Sequence, residues 1–384
     1  MRLYIHWPFC RSRCSYCDFN SRVAPGRVVD AYRRALRKEL EMWAYLLEGR
    51  GGCLRSVYLG GGTPSCLSGA EVAGLLAAVT GAFGLHEEAE VTVEVNPATW
   101  SEKDFRDAVE GGVDRLSIGV QSLEDGVLRL LGRPHGAAEA RRALRTALSS
   151  GARSVGADLL YGLPDPGGRA FRNSLEEVAA LGIPHLSIYA LTLSEEAPLA
   201  RRAESGEVAL PSEDAVADEY LEACEALDRR GYEHYEISNF CLPGHRCRHN
   251  LSYWRREDYL GLGAGAHSML GGVRFWNQRS VLRYLRVLEE GRLPVAGAER
   301  VAGEEAREEM VMLGLRTARG VPERTLRRSR ERLRELARAG LLALEGGRVR
   351  LTPRGMLVSN AIISELAWGG EDAARATRCS AGIT

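Results

Sequence analysis

Short apolar runs alternate with helix-like segments over about the first two hundred residues of this 384-residue chain. The apolar runs, which predict β-strands, cover residues 3–7, 56–60, 91–96, 115–121, 154–162 and 185–193. Between them, apolar residues recur every three or four positions, as in amphipathic helices, over residues 28–47, 69–83, 103–112, 137–151 and 172–182. This alternation predicts an α/β fold with a parallel βα array, either an open doubly wound sheet or a complete or partial barrel.

Polar residues and glycines stand where the predicted strands end. GGGTP (60–64) follows the second strand, EVNP (94–97) ends the third, and GVQS (119–122) ends the fourth. Binding and catalytic groups gather at this edge of parallel βα arrays. Ordinary turns explain the glycines and prolines, but they do not explain Glu94, Gln121 and Asp158, since buried polar groups need partners. We therefore predict a shared pocket at this edge.

The pattern changes after about residue 200. A predicted helix (212–230) leads to irregular segments, and a stretch rich in Pro, Gly and Ala at 293–298 predicts a linker. Helical segments at 304–318 and 323–344, a hairpin about Gly346 and Gly347, and a helix at 354–366 resemble a winged-helix module. We expect three units, at 1–210, 211–298 and 299–384, of which the last is mainly helical and winged-helix-like.

Composition narrows the class of protein. Hydrophobic residues make up 45% of the chain, and Lys plus Arg equals Asp plus Glu at 51 each, so no overall basicity indicates nucleic acid as a partner. No secretory signal or run of eighteen apolar residues is present, which predicts a cytoplasmic protein without a transmembrane segment. Nine scattered cysteines make a poor disulfide framework.

Three cysteines, Cys10, Cys14 and Cys17, follow the first strand with the spacing C-x3-C-x2-C. Structural zinc needs four ligands, and no fourth ligand stands nearby in the sequence. An iron–sulfur cube held by three thiolates instead leaves one iron open to a reactive ligand. Arg11 and Arg13, between the thiols, are expected to stabilise thiolates. We therefore favour a 4Fe–4S cluster.

The triple spacing, the aromatic Tyr16 before the last cysteine and GGGTP after the second strand together resemble the radical S-adenosylmethionine (SAM) superfamily. The resemblance implies a partial (β/α)6 barrel and a cluster whose unique iron is chelated by the amine and carboxylate of SAM. The SAM-binding residues it implies are Tyr4, Tyr16, Gly61, Gly62, Thr63, Glu94, Gln121, Arg133, Asp158, Ala190 and His267. Among these, His267 is alternatively a haem ligand.

Longer strings, including YIHWPFC, YLGGGTPS, DLLYGLP and YLGLGAGAHS, resemble the group related to oxygen-independent coproporphyrinogen III oxidase, and within it the HemW-type haem chaperones. The true oxidases of this group carry a further cysteine two residues past the cluster and an N-terminal extension. This sequence has Phe19 at that position and starts nine residues before Cys10, and both features count against porphyrinogen decarboxylation.

The segment HNLSYW (249–254) is similar to the H-N-x-x-Y-W segment linked to haem binding in the HemW-type group. His249 offers a neutral imidazole for iron, while Tyr253 and Trp254 offer aromatic faces for a planar macrocycle. Taken alone, a structural histidine explains His249 equally well. A zinc site formed by Cys241, His245, Cys247 and His249 ranks below haem, because ligands two residues apart strain a tetrahedron.

The resemblance implies a haem chaperone that holds a 4Fe–4S cluster, SAM and haem and passes haem to an acceptor haem protein, for example a membrane respiratory enzyme reached by transient membrane association. Two other functions stay open at this point. One is anaerobic oxidative decarboxylation of coproporphyrinogen III. The other is a redox-sensing DNA-binding regulator that uses the winged-helix tail, for which the interleaved acidic residues give little support.

Overall fold

The structure is a computed structural model, and it describes residues 1–48, 52–165, 167–326, 328 and 330–368. The strands are β1 Arg2–Trp7, β2 Leu54–Gly61, β3 Leu85–Val95, β4 Arg115–Gln121, β5 Ser154–Tyr161, β6 His185–Ala190, β7 Glu233–Glu236, β8 Asn239–Cys241, β9 Tyr259–Leu262, β10 His267–Leu270, β11 Val273–Asn277, β12 Val295–Arg300, β13 Val321–Pro322, β14 Leu342–Glu345 and β15 Arg348–Leu351. The helices are α1 Gly26–Leu46, α2 Gly69–Phe83, α3 Glu102–Glu110, α4 Asp125–Leu130, α5 Ala137–Ser149, α6 Ala170–Ala180, α7 Pro198–Glu204, α8 Glu213–Asp228, α9 Arg248–Trp254, α10 Val281–Glu289, α11 Gly303–Leu315, α12 Arg330–Arg338, α13 Pro353–Leu357 and α14 Ser359–Trp368.

The first six strands form one parallel sheet, which confirms the α/β prediction. The strand order is β12-β11-β10-β9-β1-β2-β3-β4-β5-β6-β8-β7, and β9 also runs parallel to β1. Helices connect the parallel strands, as the alternation of sequence patterns predicted. Strands β7 to β12 join the same sheet, so the predicted boundary at 210/211 does not interrupt it. The three predicted units otherwise stay a prediction.

Side chains alternate between an apolar outer face and a polar inner face along the parallel strands. On β1, Leu3, Ile5 and Trp7 are buried in the main hydrophobic core, and Trp7 contacts the ring of Tyr32 on α1. Tyr4, between them, faces the other way. The outer face therefore supplies the stability of the fold, while the inner face gathers polar groups.

Helix α9 closes the end of the inner face at which the parallel strands begin. Ser56, at the start of β2, pairs in register with Arg2 and bonds His249 of α9. Glu90 of β3 is completely buried, and its carboxylate accepts the backbone N–H groups of Arg248 and His249 at 3.1 and 2.9 Å. This carboxylate accepts two backbone N–H groups that have no partner within α9. It also places an acidic group at the amino end of the helix, where the helix dipole favours one. The thiol loop after β1 lies at the opposite end of the strands.

The C-terminal region has the winged-helix-like order helix, strand, helix, hairpin and helix. The hairpin turns at Gly346 and Gly347, as predicted, and both have positive φ angles, of 56° and 70°. The predicted helix over 323–344 is too long, since α12 ends at Arg338 and residues 342–345 form β14. Gly340, at φ 74°, ends the helix in a left-handed conformation that favours glycine. The predicted final helix is two helices, α13 and α14, that meet at Val358.

Two of the arginines on α12 make ion pairs with nearby carboxylates. Arg332 contacts Glu365 and Glu335, and Arg330 contacts Glu323. Paired charges of this kind give nucleic-acid phosphates little to bind, which lowers support for a DNA-binding function. No helix in the described ranges has the length and apolarity needed to cross a bilayer.

Candidate cluster and cofactor site

The loop after β1 holds the three thiols in a half-buried position and is anchored at several points. The Cys10 backbone N–H donates to the carbonyl of Arg22 at 3.0 Å. Ser15 donates its N–H to the carbonyl of Leu131 at 3.0 Å and its hydroxyl to that of Leu130 at 2.9 Å. The end of α4 therefore supports the middle of the loop. These contacts fix the loop where the parallel strands end.

One buried arginine bonds a thiol of this loop. Arg133 donates from Nη1 to Cys14 Sγ at 3.3 Å and from Nη2 to the carbonyl of Gly119 at 2.7 Å. The sequence had predicted this stabilising role for Arg11 and Arg13. Instead, the Arg11 guanidinium donates to the carbonyls at residues 98 and 99, and Arg13 donates to the carbonyl of Cys17. The structure instead places Arg133 beside a thiol, because this arginine follows the end of α4, and the end of α4 contacts the thiol loop.

The three thiols match the donor set of an iron–sulfur cluster. Cys10, Cys14 and Cys17 lie within eight residues of one loop, and each is a half-buried free thiol. In the part of the chain that the structure describes, no three His, Cys, Asp or Glu side chains are placed to hold a single metal ion. Thiolates without carboxylate or imidazole neighbours are typical of iron–sulfur ligation, in which a cube spreads the ligands apart.

The glycine turn after β2 lies directly against the thiol loop. Gly61 has φ 114°, and a Cβ there would lie 2.6 Å from the His6 ring. A Cβ at Gly62 would lie 3.0 Å from Cys10 Sγ. The N–H groups of residues 61 to 63 donate to Glu94, to the carbonyl of Trp7 and to the carbonyl of Phe9. These three N–H groups therefore already have hydrogen-bond partners within the protein. The groups left to contact the amine of a bound ligand at this turn are carbonyl oxygens.

Two carboxylates stand on the inner face below the glycine turn. Glu94 accepts the Tyr58 hydroxyl at 2.9 Å and the Gly61 N–H at 3.0 Å, and burial raises its pKa to about 7. Asp158 accepts the Ser117 hydroxyl at 3.1 Å, and burial raises its pKa as well. The structure thus brings together two of the polar residues that the sequence singled out. Tyr58 and Ser117 were missed, although the two-residue alternation of each strand places them on the same face.

The other predicted SAM residues differ in their local surroundings. Gln121 ends β4 with φ 67°, a left-handed conformation that costs energy in a residue other than glycine. Tyr4 donates its hydroxyl to His6 Nδ1 at 3.0 Å. Ala190 ends β6 and is exposed, and His267 begins β10 in the outer part of the sheet, where its ring stacks on Trp276. Burial raises the pKa of Tyr16, and the neighbouring Arg133 offsets part of that rise.

A cavity of about 250 Å³ opens beside the thiol loop. Cys17, Phe19 and Ser21 line one side of it, and Arg13 and Arg279 line its rim. Phe19, which stands where the oxidases carry a further cysteine, is 50% exposed. The thiol loop is therefore open to solvent-borne molecules on this side.

His249 is completely buried, and both of its ring nitrogens have partners. Nδ1 lies 2.8 Å from Ser56 Oγ, and Nε2 lies 2.8 Å from the Tyr253 hydroxyl. Burial lowers the pKa of His249 to about 3, so the imidazole is neutral at physiological pH. Trp254 packs against a small apolar cluster formed by Tyr235, Cys241 and Leu251.

The alternative zinc ligands do not converge. The Cys247 thiol donates to Glu90 at 3.5 Å, His245 Nδ1 lies 3.1 Å from Ser154 Oγ, and His249 bonds Ser56. Each of these side chains thus faces a different strand. The structure gives the zinc alternative no support.

Glu236 on β7 is another buried carboxyl group, and we expect it to make stability depend on pH. Burial raises its pKa to about 7 from the ordinary 4.5, so the folded protein retains a proton that the unfolded chain has released. Its contribution is complete below about pH 4.5 and is lost as pH rises through about 7, with a total on the order of 3 kcal/mol.

Urea unfolding of the wild type and of Glu236→Gln between about pH 5 and about pH 8 tests this dependence. The wild type should lose free energy of unfolding relative to the variant as pH rises, with no further change above about pH 8. Parallel curves for the two proteins would contradict the raised pKa. The substitution retains the size of the side chain, so that packing changes little.

The chain is similar to known proteins over most of its length. Residues 4–176 match the radical SAM superfamily, and residues 301–358 match the HemN C-terminal domain. A heme chaperone HemW of Mycobacterium tuberculosis is 38% identical over 369 residues, which cover 95% of this chain and 94% of that protein. The chain belongs to the HemW family of radical SAM proteins. A heme chaperone HemW of Bacillus subtilis is 32% identical, with coverage of 94% and 97%. The predicted family is confirmed.

The solved structure of coproporphyrinogen III oxidase (HemN) from Escherichia coli, a radical SAM enzyme, has the same fold. It superposes with a TM-score of 0.80 and covers 96% of this chain and 89% of its own. At 24% sequence identity, this likeness establishes the architecture alone. The predicted radical SAM fold is thereby confirmed.

Proposed function

We propose that this protein binds haem, a 4Fe–4S cluster and SAM, and that it delivers haem to an acceptor haem protein in the cytoplasm or at the membrane surface. The observation that carries the proposal is the near-full-length similarity to heme chaperones HemW, and the three free thiols of one loop at the strand ends agree with it. The acceptor would take haem from the protein directly, since free haem is poorly soluble in water.

In this proposal, Cys10, Cys14 and Cys17 hold the cluster, and the edge formed by the glycine turn, Glu94 and Asp158 holds SAM. The cluster and SAM together supply one-electron cleavage of a sulfonium bond when they are bound. Arg133 donates a hydrogen bond to Cys14 Sγ and so fixes the position of this thiol in the loop. The remaining SAM contacts in the proposal are Tyr4, Tyr16, Gly61, Gly62, Thr63, Gln121, Arg133, Ala190 and His267.

His249 is the proposed haem ligand on this chain, with Tyr253 and Trp254 beside it. Its neutral imidazole is the form that binds iron, because protonation would compete for the same electron pair. His267 is the second candidate. Its Nδ1 is buried and has no hydrogen-bond partner among the described residues, which distinguishes it from His249.

Haem titration of the cluster-loaded protein tests the assignment. We expect His249→Ala to weaken haem binding at least tenfold and to change the absorbance of the bound haem, because an axial ligand is lost. His267→Ala should leave both unchanged, because His249 supplies the iron ligand in this proposal. The reverse result would move the ligand to His267, while wild-type binding in both variants would contradict ligation by either.

The same preparation tests oxidase activity. Incubated anaerobically with coproporphyrinogen III, SAM and a reductant, the protein should form no protoporphyrinogen. Product formation would overturn the chaperone proposal in favour of the oxidase.

A further inference from the structure

The immediate surroundings of His249 contain a hydrogen bond that blocks the nitrogen needed for iron. Tyr253 is four residues after His249, one turn along α9, and its hydroxyl lies 2.8 Å from Nε2. We propose that Tyr253 is a removable cap on the iron-binding nitrogen of His249, and that Ser56 is the positioning residue that holds the ring while haem replaces the cap. The inference rests on the proposed haem-binding function and deepens it.

Nε2 is the nitrogen that can be released, because its partner sits on a side chain that can rotate. Tyr253 is only partly buried, and its ring meets Tyr259 edge-on at 4.6 Å and His249 at 5.0 Å. Ser56, the partner of Nδ1, is 1% exposed and belongs to the parallel strand β2. Rotation about the Tyr253 side-chain bonds uncovers Nε2 without moving a strand, whereas uncovering Nδ1 would require movement of β2 or α9.

The backbone of α9 is held in place while the cap moves. The buried Glu90 carboxylate accepts the N–H of His249 and that of Arg248, and the Cys247 thiol donates to it. Withdrawal of the whole helix would leave this carboxylate without those donors, at a large cost for a buried charge. The cap is therefore a side-chain gate on a fixed helix.

The protons balance in the exchange. An imidazole that binds iron through Nε2 carries its one ring proton on Nδ1, which faces Ser56. Ser56 Oγ then accepts the Nδ1–H, and the displaced Tyr253 hydroxyl keeps its own proton. No proton is taken up or released. A bond of this type, from the distal nitrogen of a ligating histidine to an oxygen, fixes the ring and raises the basicity of the ligand.

A histidine with two partners is also what a purely structural core residue shows, and haem affinity separates the two roles. Tyr253→Phe retains the ring and removes only the competing hydroxyl. If Tyr253 caps the ligand, this variant should bind haem about fivefold more tightly, since the free state loses one hydrogen bond that haem otherwise has to break. Tyr259→Phe, which removes the hydroxyl of the neighbouring ring, should bind haem as the wild type does.

Ser56→Ala supplies a second readout that a structural role would not move. Resonance Raman spectra of the ferrous haem complex should show a lower iron–histidine stretching frequency in Ser56→Ala than in the wild type, because Nδ1–H loses its acceptor. Iron and sulfide content and thermal unfolding of the three variants should match the wild type and show that they fold.

The outcomes separate this inference from the function on which it rests. Loss of haem in His249→Ala together with wild-type affinity in Tyr253→Phe overturns the cap and leaves the ligand in place. An unchanged iron–histidine frequency in Ser56→Ala overturns the positioning role. Wild-type haem binding in His249→Ala overturns the ligand, and with it both roles.

Discussion

Cys14→Ala should abolish the iron–sulfur cluster: the reconstituted wild type is expected to hold about four irons per chain, and the variant close to none. Three thiols are the fewest that hold a cube with one open iron, so two thiols cannot retain it. Cys14 also accepts the hydrogen bond of the buried Arg133, which the substitution leaves without its thiol partner. Iron and sulfide counting after anaerobic reconstitution, with absorbance spectra, measures the effect.

Cys66 provides the matched control. It lies in the turn after the glycines, and burial raises its pKa to about 11, with a smaller contribution from the nearby Cys10 of the thiol loop. It is outside the three-cysteine spacing, so Cys66→Ala should retain the full iron content. Equal loss of iron in Cys66→Ala would mean that four protein thiols close the cluster. That result would remove the open iron on which SAM binding depends.

Glu39→Ala should cause the largest loss of stability, about 4 kcal/mol in the free energy of unfolding. Glu39 is completely buried on α1 and accepts three donors: the Tyr284 hydroxyl at 2.6 Å, Asn277 Nδ2 at 2.6 Å and the Gly263 N–H at 2.8 Å. Alanine would leave all three donors unpaired in the core. Asn277 also donates to the carbonyl of Gly263, so the network holds this loop in place from two sides.

Urea unfolding of three variants measures this contribution. Glu41→Ala, two residues further along α1 and exposed, should change the free energy of unfolding by less than about 0.5 kcal/mol. Tyr284→Phe, which removes one of the three donors, should cost about 1 kcal/mol. A cost for Glu39→Ala no larger than that of Tyr284→Phe would show that the network contributes little. The cluster content of Glu39→Ala reports whether the loop at Gly263 also supports the metal site.

Local sequence patterns predicted the elements and the position of the candidate site. Parallel strands bring their carboxyl ends to one edge, and for this reason Glu94 and Asp158 could be expected near Cys10 before any coordinates were known. The spacing of the thiols predicted the set of cluster ligands, because all three cysteines belong to one loop. The pattern failed over 342–344, where apolar residues that extend a helical period form part of β14, since Gly340 ends the helix before them.

Contacts between distant parts of the chain could not be predicted in this way. Arg133 meets Cys14 across 119 positions, and His249 meets Ser56 across 193. The sequence suggested a ligand in HNLSYW but gave no sign that both ring nitrogens of His249 are occupied. The sequence also gave no sign that Glu39 has buried partners, because it has the pattern of an ordinary charged residue on an amphipathic helix.

By itself, then, the sequence determined the α/β alternation of about the first two hundred residues and the family, and it predicted the set of thiols, because periodicity, turn residues and ligand spacing act over a few residues. The tertiary structure alone decided which arginine holds a thiol, which end of the strands carries His249 and what covers its nitrogens. These features depend on how strands far apart in sequence stand side by side, and hydrogen bonds between buried groups form only where that packing brings donor and acceptor within about 3 Å.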